Sequence, residues 1–559
     1  MTTPGGDRRR LARAARFVTS LLPSGRDYAQ VPRTWKGDLI AGVTVGIIAL
    51  PLALAFGVSS GAGAEAGLIT AIVAGVVAGV FGGSNVQVSG PTGAMVVVLG
   101  PIVASQGVAA VALVAIMAGV IVVAAGVLRL GRAVTYIPWP VIEGFTLGIA
   151  VIIFLQQIPS AFGVAAGESE NAAVAAVQGL ASADWSEIFW PLAIVLVVAV
   201  IMIVAPRVHR QLPGSIIAII AVTVAAELAD LPVARIGALP SSLPLPSLPD
   251  FSLEQLGVLV APALTVAALA AIESLLSARV AVSLSDTGPY DADRELVGQG
   301  LASVASGFFG GMPATGAIAR TAVNVRSGGR TRLAAIVHAI VLVGVVYLAT
   351  GPVSRIPLAA LAGVLMLTAI RMVSVATVRS IVGSTRSDTV VFIITALITV
   401  SFDLIVAVEI GIVVAAFFAL RTLAKSSGVH REELPGAAVD GDEQIALFRL
   451  DGALFFGAAE RVLDRVSQIR AVHVVILRMS QLQVLDATGA RVITELVQNL
   501  ERRGITVLIK GVQDRHLGLL THVGVLDSLR HQNHLFTDLD SAIEHARSHV
   551  ARATEQAPA

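Results

Sequence analysis

Two short sequences of the same kind, far apart in the chain, could together bind an anion. The first, Pro91–Ala94, reads Pro-Thr-Gly-Ala, and the second, Pro313–Ala317, reads Pro-Ala-Thr-Gly-Ala. Each would begin a helix, and a helix start exposes free backbone N–H groups and roughly half a positive charge. Such a pair suits an anion, which the threonine hydroxyls could also bind. We expect the substrate to contact Thr92, Gly93, Ala94, Thr315, Gly316 and Ala317.

Two ionisable residues lie in apolar sequence close to these motifs. Arg320 follows the second motif in the same predicted helix, and a cation there needs a partner or a ligand. It could attract the anion, form a salt bridge with Glu273, or lie near the cytosolic mouth. An unpaired Glu273 would repel an anion, so it must be protonated, bind a cation or pair with Arg320. The first two alternatives would couple anion uptake to a cation. Ser277 lies one helical turn after Glu273 on the same face.

The elements that must position these residues are membrane-spanning helices. Of the 559 residues, 55% are hydrophobic and only 14% are charged, whereas soluble proteins are about 25% charged. A span needs about 20 apolar residues, and fourteen segments are candidates. They lie near 38–58, 66–82, 91–104, 107–128, 139–160, 188–206, 213–230, 256–280, 296–311, 313–324, 331–351, 356–372, 387–403 and 404–422.

The third and tenth segments are too short to cross a membrane alone, and they carry the two motifs. Phe-Gly-Gly precedes each motif, at Phe81–Gly83 and Phe309–Gly311. Because seven spans separate the copies, the two halves should have inverted orientations. Short helices at matching positions of inverted halves indicate a transporter's substrate site near the bilayer centre. A single motif would indicate only a helix start.

Basic residues favour an orientation with both termini in the cytoplasm. Five arginines lie between Arg8 and Arg16, before the first span, and basic residues follow spans four, six, ten, twelve and fourteen. The loop after span five instead holds Glu168, Glu170 and Asp184 with no Lys or Arg. The positive-inside rule therefore predicts an even number of spans, with both termini in the cytoplasm. We expect the protein to lie in the plasma membrane, which is the inner membrane of a bacterium.

After Lys425 the composition becomes that of a small soluble domain. Strand-like segments at Ile445–Leu450, His473–Leu477 and Ile505–Ile509 alternate with helix-like segments at 458–469 and 489–502. This alternation predicts a cytosolic α/β domain. The predicted division is a cytosolic segment at 1–36, a transport domain at 37–424, a linker at 425–440, the α/β domain at 441–550 and a disordered tail at 551–559.

Other functional classes find little support in the sequence. The absence of cysteine excludes disulfides, Cys-based zinc sites, iron–sulfur clusters and thiol nucleophiles. A formal net charge of +1 gives no reason to expect nucleic acid as a partner. No nucleophile elbow, P-loop or metal-binding motif is present. We therefore predict no enzyme activity, no catalytic residues, no metal site and no cofactor other than coupling Na⁺ or H⁺.

Taken together, the motifs resemble those of the sulfate permease (SulP) family of anion transporters, along essentially the whole chain. The matching sequences are Gly37–Gly42, Val88–Gly93, Glu273–Leu276, Gly310–Arg320 and Asn324–Gly329. The stretch from Gly37 to Val98 is most similar to the bacterial bicarbonate and C4-dicarboxylate branches. The resemblance implies seven-plus-seven inverted repeats with two half-helices, an elevator-like movement of a core against a gate, and homodimers. It places the substrate between the third and tenth helices.

The resemblance leaves the substrate and the coupling ion open. Sodium-dependent bicarbonate members bind the cation with an acidic residue and a hydroxyl one turn later, which match Glu273 and Ser277. Those members carry Asp where this chain and dicarboxylate members carry Glu, so Na⁺ and H⁺ both remain candidates. Sulfate, bicarbonate and C4-dicarboxylates are the candidate substrates. A passive anion channel is an alternative, as is a nucleobase–cation symporter, although Arg320 and the C-terminal domain argue against the latter.

The C-terminal domain resembles the STAS domain, which sulfate transporters share with anti-sigma-factor antagonists. Leu485–Gly489 matches the strand-to-helix turn of that domain. Regulatory relatives carry a phosphorylatable Ser directly after the Asp. Here that residue is Ala487, so the resemblance does not imply regulation by phosphorylation at this position. We expect Thr488 to be the helix N-cap. The domain is expected to serve in docking, dimerisation or trafficking.

Overall fold

The computed structural model divides the chain into two units, Met1–Ile412 and Val413–Ala559. It describes residues 17, 19–132, 137–165, 167, 169, 171–181, 183, 188–209, 212–238, 242–249, 252–401, 404–426, 428–455 and 472–555. The arginines from Arg8 to Arg16 and the acidic residues Glu168, Glu170 and Asp184 lie outside the described residues, as does the predicted helix at 458–469.

The first unit is built from helices. They are α1 Val31–Ser59, α2 Ala64–Phe81, α3 Gly93–Gln106, α4 Ala109–Val127, α5 Trp139–Phe162, α6 Ala172–Ala181, α7 Phe189–Val208, α8 Gly214–Leu228, α9 Leu253–Leu284, α10 Ala292–Phe308, α11 Ile318–Arg326, α12 Leu333–Leu348, α13 Thr350–Ser354, α14 Leu358–Met372, α15 Val375–Val382, α16 Arg386–Ser401 and α17 Leu404–Ser426, which continues into the second unit. Each of the fourteen candidate segments overlaps at least one of these helices.

Seven helical stretches in the described part of the chain are long and apolar enough to cross a membrane. They are Val31–Ser59, Ala64–Phe81, Ala109–Val127, Trp139–Phe162, Phe189–Val208, Leu253–Leu284 and Leu358–Val382. Helices suit this environment because they satisfy their backbone hydrogen bonds internally. α3, α8 and α12 are apolar but shorter. The count of fourteen crossings therefore stays a prediction.

Small residues allow the helices of the first unit to pack closely. Gly119 of α4 faces Gly300 of α10, and a Cβ atom on either glycine would lie 2.6 Å from the carbonyl oxygen of the other. No larger residue fits at this crossing, because such contacts are shorter than van der Waals distances. Large side chains fill the remaining core, among them Leu54, Met95 and Leu275, all of which are fully buried. Close approach through small residues is typical of membrane helix bundles.

A buried aspartate joins α1 to the loop before α12. Asp38 accepts hydrogen bonds from the backbone N–H groups of Arg330 (2.7 Å) and Thr331 (2.9 Å), and from the Thr331 hydroxyl (2.7 Å). Gly37 lets the chains meet here, since a Cβ atom on it would lie 3.0 Å from the Gly328 carbonyl oxygen. Two of the motifs that carry the family resemblance are thus parts of one contact.

The two anion-site motifs are brought together by a short antiparallel pairing. β1 (Ser89–Gly90) pairs with β2 (Thr315–Gly316), with Ser89 opposite Gly316 and Gly90 opposite Thr315. The Ala317 N–H extends the pairing by donating to the Val88 carbonyl at 2.8 Å. α3 and α11 therefore begin next to each other, although more than 200 residues separate them.

The second unit is an α/β domain, and its described residues form a six-stranded sheet. Its elements are β3 Gly428–Glu432, β4 Ile445–Leu454, β5 Val474–Arg478, β6 Leu482–Leu485, α18 Ala487–Arg502, β7 Thr506–Lys510, α19 Asp514–Val523, β8 Leu535–Phe536 and α20 Leu539–Glu555. The strand order is β3-β4-β5-β7-β8, with β6 also paired to β4; β3 is antiparallel and the other pairings are parallel.

Side chains alternate across this sheet because successive residues of a strand point to opposite faces. Val475 and Leu477 of β5 pack in the core that includes α18, whereas Val474 and Ile476 pack with Ala546 of α20 on the other face. Both faces of the central strands are buried, which explains their continuous apolar sequence.

Several predicted boundaries differ from the structure. β3 lies inside the predicted linker at 425–440, since its polar sequence forms an edge strand that a hydrophobicity pattern does not reveal. α20 continues to Glu555, so the first five residues of the predicted tail are helical, and 556–559 lie outside the described residues. α1 begins at Val31, within the predicted N-terminal segment.

The predicted helix cap in the STAS-like turn is also wrong. Asp486, not Thr488, is the N-cap of α18, and its carboxylate accepts the Gly489 N–H at 2.7 Å. Asp486 has an extended backbone, which an N-cap requires, whereas Thr488 already lies in the first helical turn.

Candidate functional site

The side chains of the two motif threonines meet at one carboxylate. Thr92 and Thr315 each place their hydroxyl oxygen 2.8 Å from Oε2 of Glu273, and the two hydroxyl oxygens are 3.0 Å apart. Thr92 and Thr315 are buried, whereas Glu273 keeps part of its surface accessible. A threonine hydroxyl has a single proton to donate. While both hydroxyls donate to the carboxylate, neither can donate to another acceptor.

The two helix starts provide backbone donors beside this cluster. α3 begins at Gly93, directly after Thr92, and α11 begins at Ile318, directly after Ala317. Neither helix start is capped by a side chain. The first N–H groups of a helix have no partner within the helix, so both ends can bind an anion. Predicted residues Gly93, Ala94, Gly316 and Ala317 are all buried here.

At two of the predicted positions a glycine leaves room for the side chain of a neighbouring residue. A Cβ atom on Gly316 would lie 1.7 Å from Nε2 of Gln87, and one on Gly93 would lie 2.2 Å from Cδ1 of Ile153. These contacts are far inside van der Waals distance, so any side chain would displace the neighbouring residue. The two glycines therefore allow the motif segments to pack against the core.

Arg320 is buried and only partly hydrogen-bonded. Its Nη2 donates to the Pro91 carbonyl at 2.6 Å, and its Nη1 is buried without a hydrogen-bond partner in the described residues. No salt bridge joins it to Glu273 among the described side chains, so the alternative in which these two residues pair is not formed. An unpartnered buried N–H group costs about 1–3 kcal/mol, and a bound anion would satisfy it.

Ser277 does not bond to Glu273, although it lies one turn away. Its hydroxyl is 3.3 Å from the Thr321 hydroxyl, which itself accepts the Val88 N–H at 3.1 Å. The structure thus places the two residues predicted for the coupling ion in different hydrogen-bond networks.

Two residues that sequence reasoning missed connect α9 to both motif segments. Ser274 accepts the Gly316 N–H through its hydroxyl at 3.1 Å, and its carbonyl accepts Nε2 of Gln87 at 3.2 Å. Both side chains are buried. Ser274 follows Glu273 in a sequence already recognised as a motif, which was a usable signal. Gln87 had no such signal, because it lies in the short segment before β1.

A buried carboxylate of α10 supports the segment before β1. Glu295 of α10 accepts the N–H groups of Gly83 (2.7 Å) and Ser84 (3.0 Å), and it also accepts Nε2 of Gln299 (2.8 Å). Gln299 is also hydrogen-bonded to the Ser89 hydroxyl. Sequence reasoning started this helix at 296, whereas it begins at Ala292. Glu295 was therefore missed among the charged residues before the apolar segment.

Comparison with known proteins identifies the family. A sequence profile of the Sulfate permease family matches residues 35–395, and a STAS domain profile matches residues 437–542. The chain belongs to the sulfate permease family. The fold class predicted from the sequence, a polytopic helical membrane protein with a C-terminal STAS domain, is confirmed.

Individual relatives agree with this assignment. The putative sulfate transporter YvdB of Bacillus subtilis is 33% identical over 92% of this chain and 99% of that protein. The bicarbonate transporter BicA of Synechocystis is 32% identical over 86% of this chain and 88% of that protein. The solved structure of SLC26A9 has a TM-score of 0.79 and covers 98% of this chain and 96% of its own, at 16% identity, which shows the fold alone.

In this member of the sulfate permease family, the predicted substrate residues and Glu273 form one cluster. The assignment of Thr92, Gly93, Ala94, Thr315, Gly316, Ala317 and Arg320 to the substrate remains a prediction, as does that of Glu273 and Ser277 to a coupling ion.

Replacing Gly316 tests whether close packing of β2 forms the cluster. We expect Gly316→Ala to lower both the melting temperature in detergent and anion binding, because its methyl group would collide with Gln87. Gly344→Ala is the matched control, since nothing lies within 4 Å of a Cβ atom at that position. The double variant Gly316→Ala/Gln87→Ala should recover part of the melting temperature. A double variant as unstable as Gly316→Ala would contradict the proposed collision.

Proposed function

We propose that this chain is a secondary active transporter of a small anion, namely sulfate, bicarbonate or a C4-dicarboxylate, coupled to H⁺ or Na⁺. Family membership supports anion transport, and its relatives are named as sulfate and bicarbonate transporters. One observation supports the coupled mechanism: the Glu273 carboxylate accepts hydrogen bonds from both of the threonine hydroxyls that we propose bind the substrate.

A charged Glu273 opposes anion binding in two ways. It uses the protons of Thr92 and Thr315, so neither hydroxyl can donate to a substrate. It also places a negative charge beside the helix starts, where a second anion would be repelled. An anion therefore binds poorly until the carboxylate is neutralised.

A cation removes both obstacles. A proton converts Glu273 into a neutral carboxyl group, which can itself donate a hydrogen bond and release the threonine hydroxyls. A sodium ion would instead bind the carboxylate and the hydroxyl oxygens, as hard cations prefer oxygen ligands. In either case cation and anion bind together, and this joint binding is what symport requires.

Arg320 supplies a fixed positive charge in this scheme. Its buried Nη1 has no hydrogen-bond partner in the described residues and can donate to an anion. Its Nη2 donates to the carbonyl of Pro91, the residue before Thr92. With Glu273 neutralised, Arg320 and the two helix starts balance the charge of the anion. The arrangement contains no feature that selects among sulfate, bicarbonate and fumarate, so all three belong in one experiment.

The proposal extends to the organisation of the transporter. We infer an elevator-like movement, a homodimer and a plasma-membrane orientation with both termini in the cytoplasm, on the family resemblance and the distribution of basic residues. A passive channel is the competing function, and it differs in one measurable respect: its flux does not depend on a cation gradient. The match to the Sulfate permease and STAS profiles leaves no observation that favours a nucleobase–cation symporter.

The threonine hydroxyls are tested by removing them without changing shape. Thr92→Val and Thr315→Val should each weaken anion affinity about fivefold or more, because loss of a buried hydrogen bond costs about 1–3 kcal/mol. Affinity is measured by binding of labelled sulfate, bicarbonate and fumarate to purified protein. Thr265→Val is the control, since Thr265 is half-buried on α9 and its hydroxyl donates to the Ala261 carbonyl of its own helix. Unchanged affinity in both site variants would contradict the assignment of Thr92 and Thr315 to the substrate site.

The coupling role of Glu273 is tested in liposomes with imposed gradients. Wild-type uptake should respond to a proton or a sodium gradient, and Glu273→Gln should transport without responding, because the amide carries no titratable charge. Glu254→Gln, an exposed change on the same helix, should behave as wild type. Glu273→Asp distinguishes the ions: retained sodium dependence indicates a sodium ligand, whereas a shifted pH optimum alone indicates a proton carrier. A Gln variant that still follows the gradient would remove Glu273 from the mechanism.

A further inference from the structure

Three histidines of the STAS domain meet at one edge of its sheet. His534 immediately precedes β8, and His545 and His549 lie one turn apart on α20. One ring nitrogen from each histidine can be chosen so that all three lie within 4.8 Å of one another. No metal site is predicted from the sequence, and only the fold brings His534 to the two histidines of α20.

The distances within the cluster fit a tetrahedral metal ion. Nε2 of His545 and Nε2 of His549 are 3.2 Å apart. Two nitrogens bound to tetrahedral zinc at about 2.0–2.1 Å lie about 3.3–3.4 Å from each other. The ring of His534 lies with its centroid 5.4 Å from those of both helix histidines. The His545–His549 pair thus already has the required spacing, and a shift of the His534 ring would bring the third nitrogen, which lies within 4.8 Å of both, to a common ion.

The buried member of the cluster lacks a partner for one nitrogen. His534 is 1% exposed, and its Nδ1 is a buried atom without a hydrogen-bond partner in the described part of the chain. Ring packing alone leaves this nitrogen unsatisfied, which costs free energy in a domain core. A metal ion between β8 and α20 would satisfy it.

We propose that His534, His545 and His549 bind a divalent transition-metal ion, with Zn²⁺ as the best match. Imidazole nitrogen suits zinc, copper and nickel, and three ligands with one open position form a common zinc arrangement. Water or His531, whose ring centroid is 5.4 Å from that of His534, can supply the fourth ligand. The ion would fasten the C-terminal helix to the sheet edge. This site is independent of the proposed transport mechanism.

The test uses the full-length chain in detergent, purified through a tag without histidine and stripped of metal with a chelator. Zn²⁺ is titrated by calorimetry, and Co²⁺ is added separately to record its visible absorption. We expect one saturable Zn²⁺ per chain and the intense absorption of tetrahedral Co²⁺. Zn²⁺ should also raise the melting temperature of the domain, because a ligand that binds only the folded state stabilises it.

Variants assign the binding to the cluster. His549→Gln and His545→Gln change partly exposed residues and should weaken Zn²⁺ binding by more than about 100-fold, exceeding the usual cost of losing a supporting residue. His522→Gln, an exposed change in the same domain, should leave the affinity unchanged. The proposal is overturned if wild type shows no saturable binding, if both cluster variants bind like wild type, or if His522→Gln weakens binding equally.

Discussion

A carboxylate within a membrane protein must be hydrogen-bonded or neutralised, and the arrangement of this site follows from that requirement. Glu273 meets it with two threonine hydroxyls rather than with Arg320. The same hydroxyls belong to the segments that begin the two short helices. The donors that stabilise the carboxylate are thus the donors an anion needs. Competition for a shared pair of hydrogen-bond donors is therefore the simplest physical link between a cation and an anion at this site.

The surrounding polar network keeps that pair of donors in place. Antiparallel pairing of β1 with β2 fixes the two segments relative to each other. Ser274 holds β2 against α9, and Glu295 holds the chain before β1 against α10. Buried polar groups of this kind are costly unless each has its partner. Among the described residues, Arg320 has a buried N–H donor without a partner, and Gln87 and Gln299 each have a buried acceptor oxygen without one. A ligand would be expected to bind at such an unsatisfied donor.

Much of this architecture could be predicted because the informative patterns are local or repeated. Apolar segments located the helices, and the repeated Pro–Thr–Gly sequence identified the two segments that meet. Contacts between side chains distant in sequence could not be predicted in the same way. Thr92 and Glu273 are separated by 181 residues, and no local pattern reveals that they bond. The pairing of Ser277 with Thr321 and the meeting of His534 with α20 likewise depend on tertiary packing. β3 could not be predicted for a different reason: it is an edge strand with a polar sequence, and such a strand has no apolar pattern to recognise.

The central claim is that a cation and the anion bind together at Glu273, and equilibrium binding without any gradient tests it most directly. The affinity of purified protein for sulfate and fumarate, whose charges stay constant over the neutral pH range, would be measured against pH and against Na⁺ concentration. If one cation accompanies each anion, the account predicts affinity rising up to about tenfold for each tenfold rise in that cation, because linkage is reciprocal. Anion affinity that is the same at every pH and every Na⁺ concentration would contradict the account.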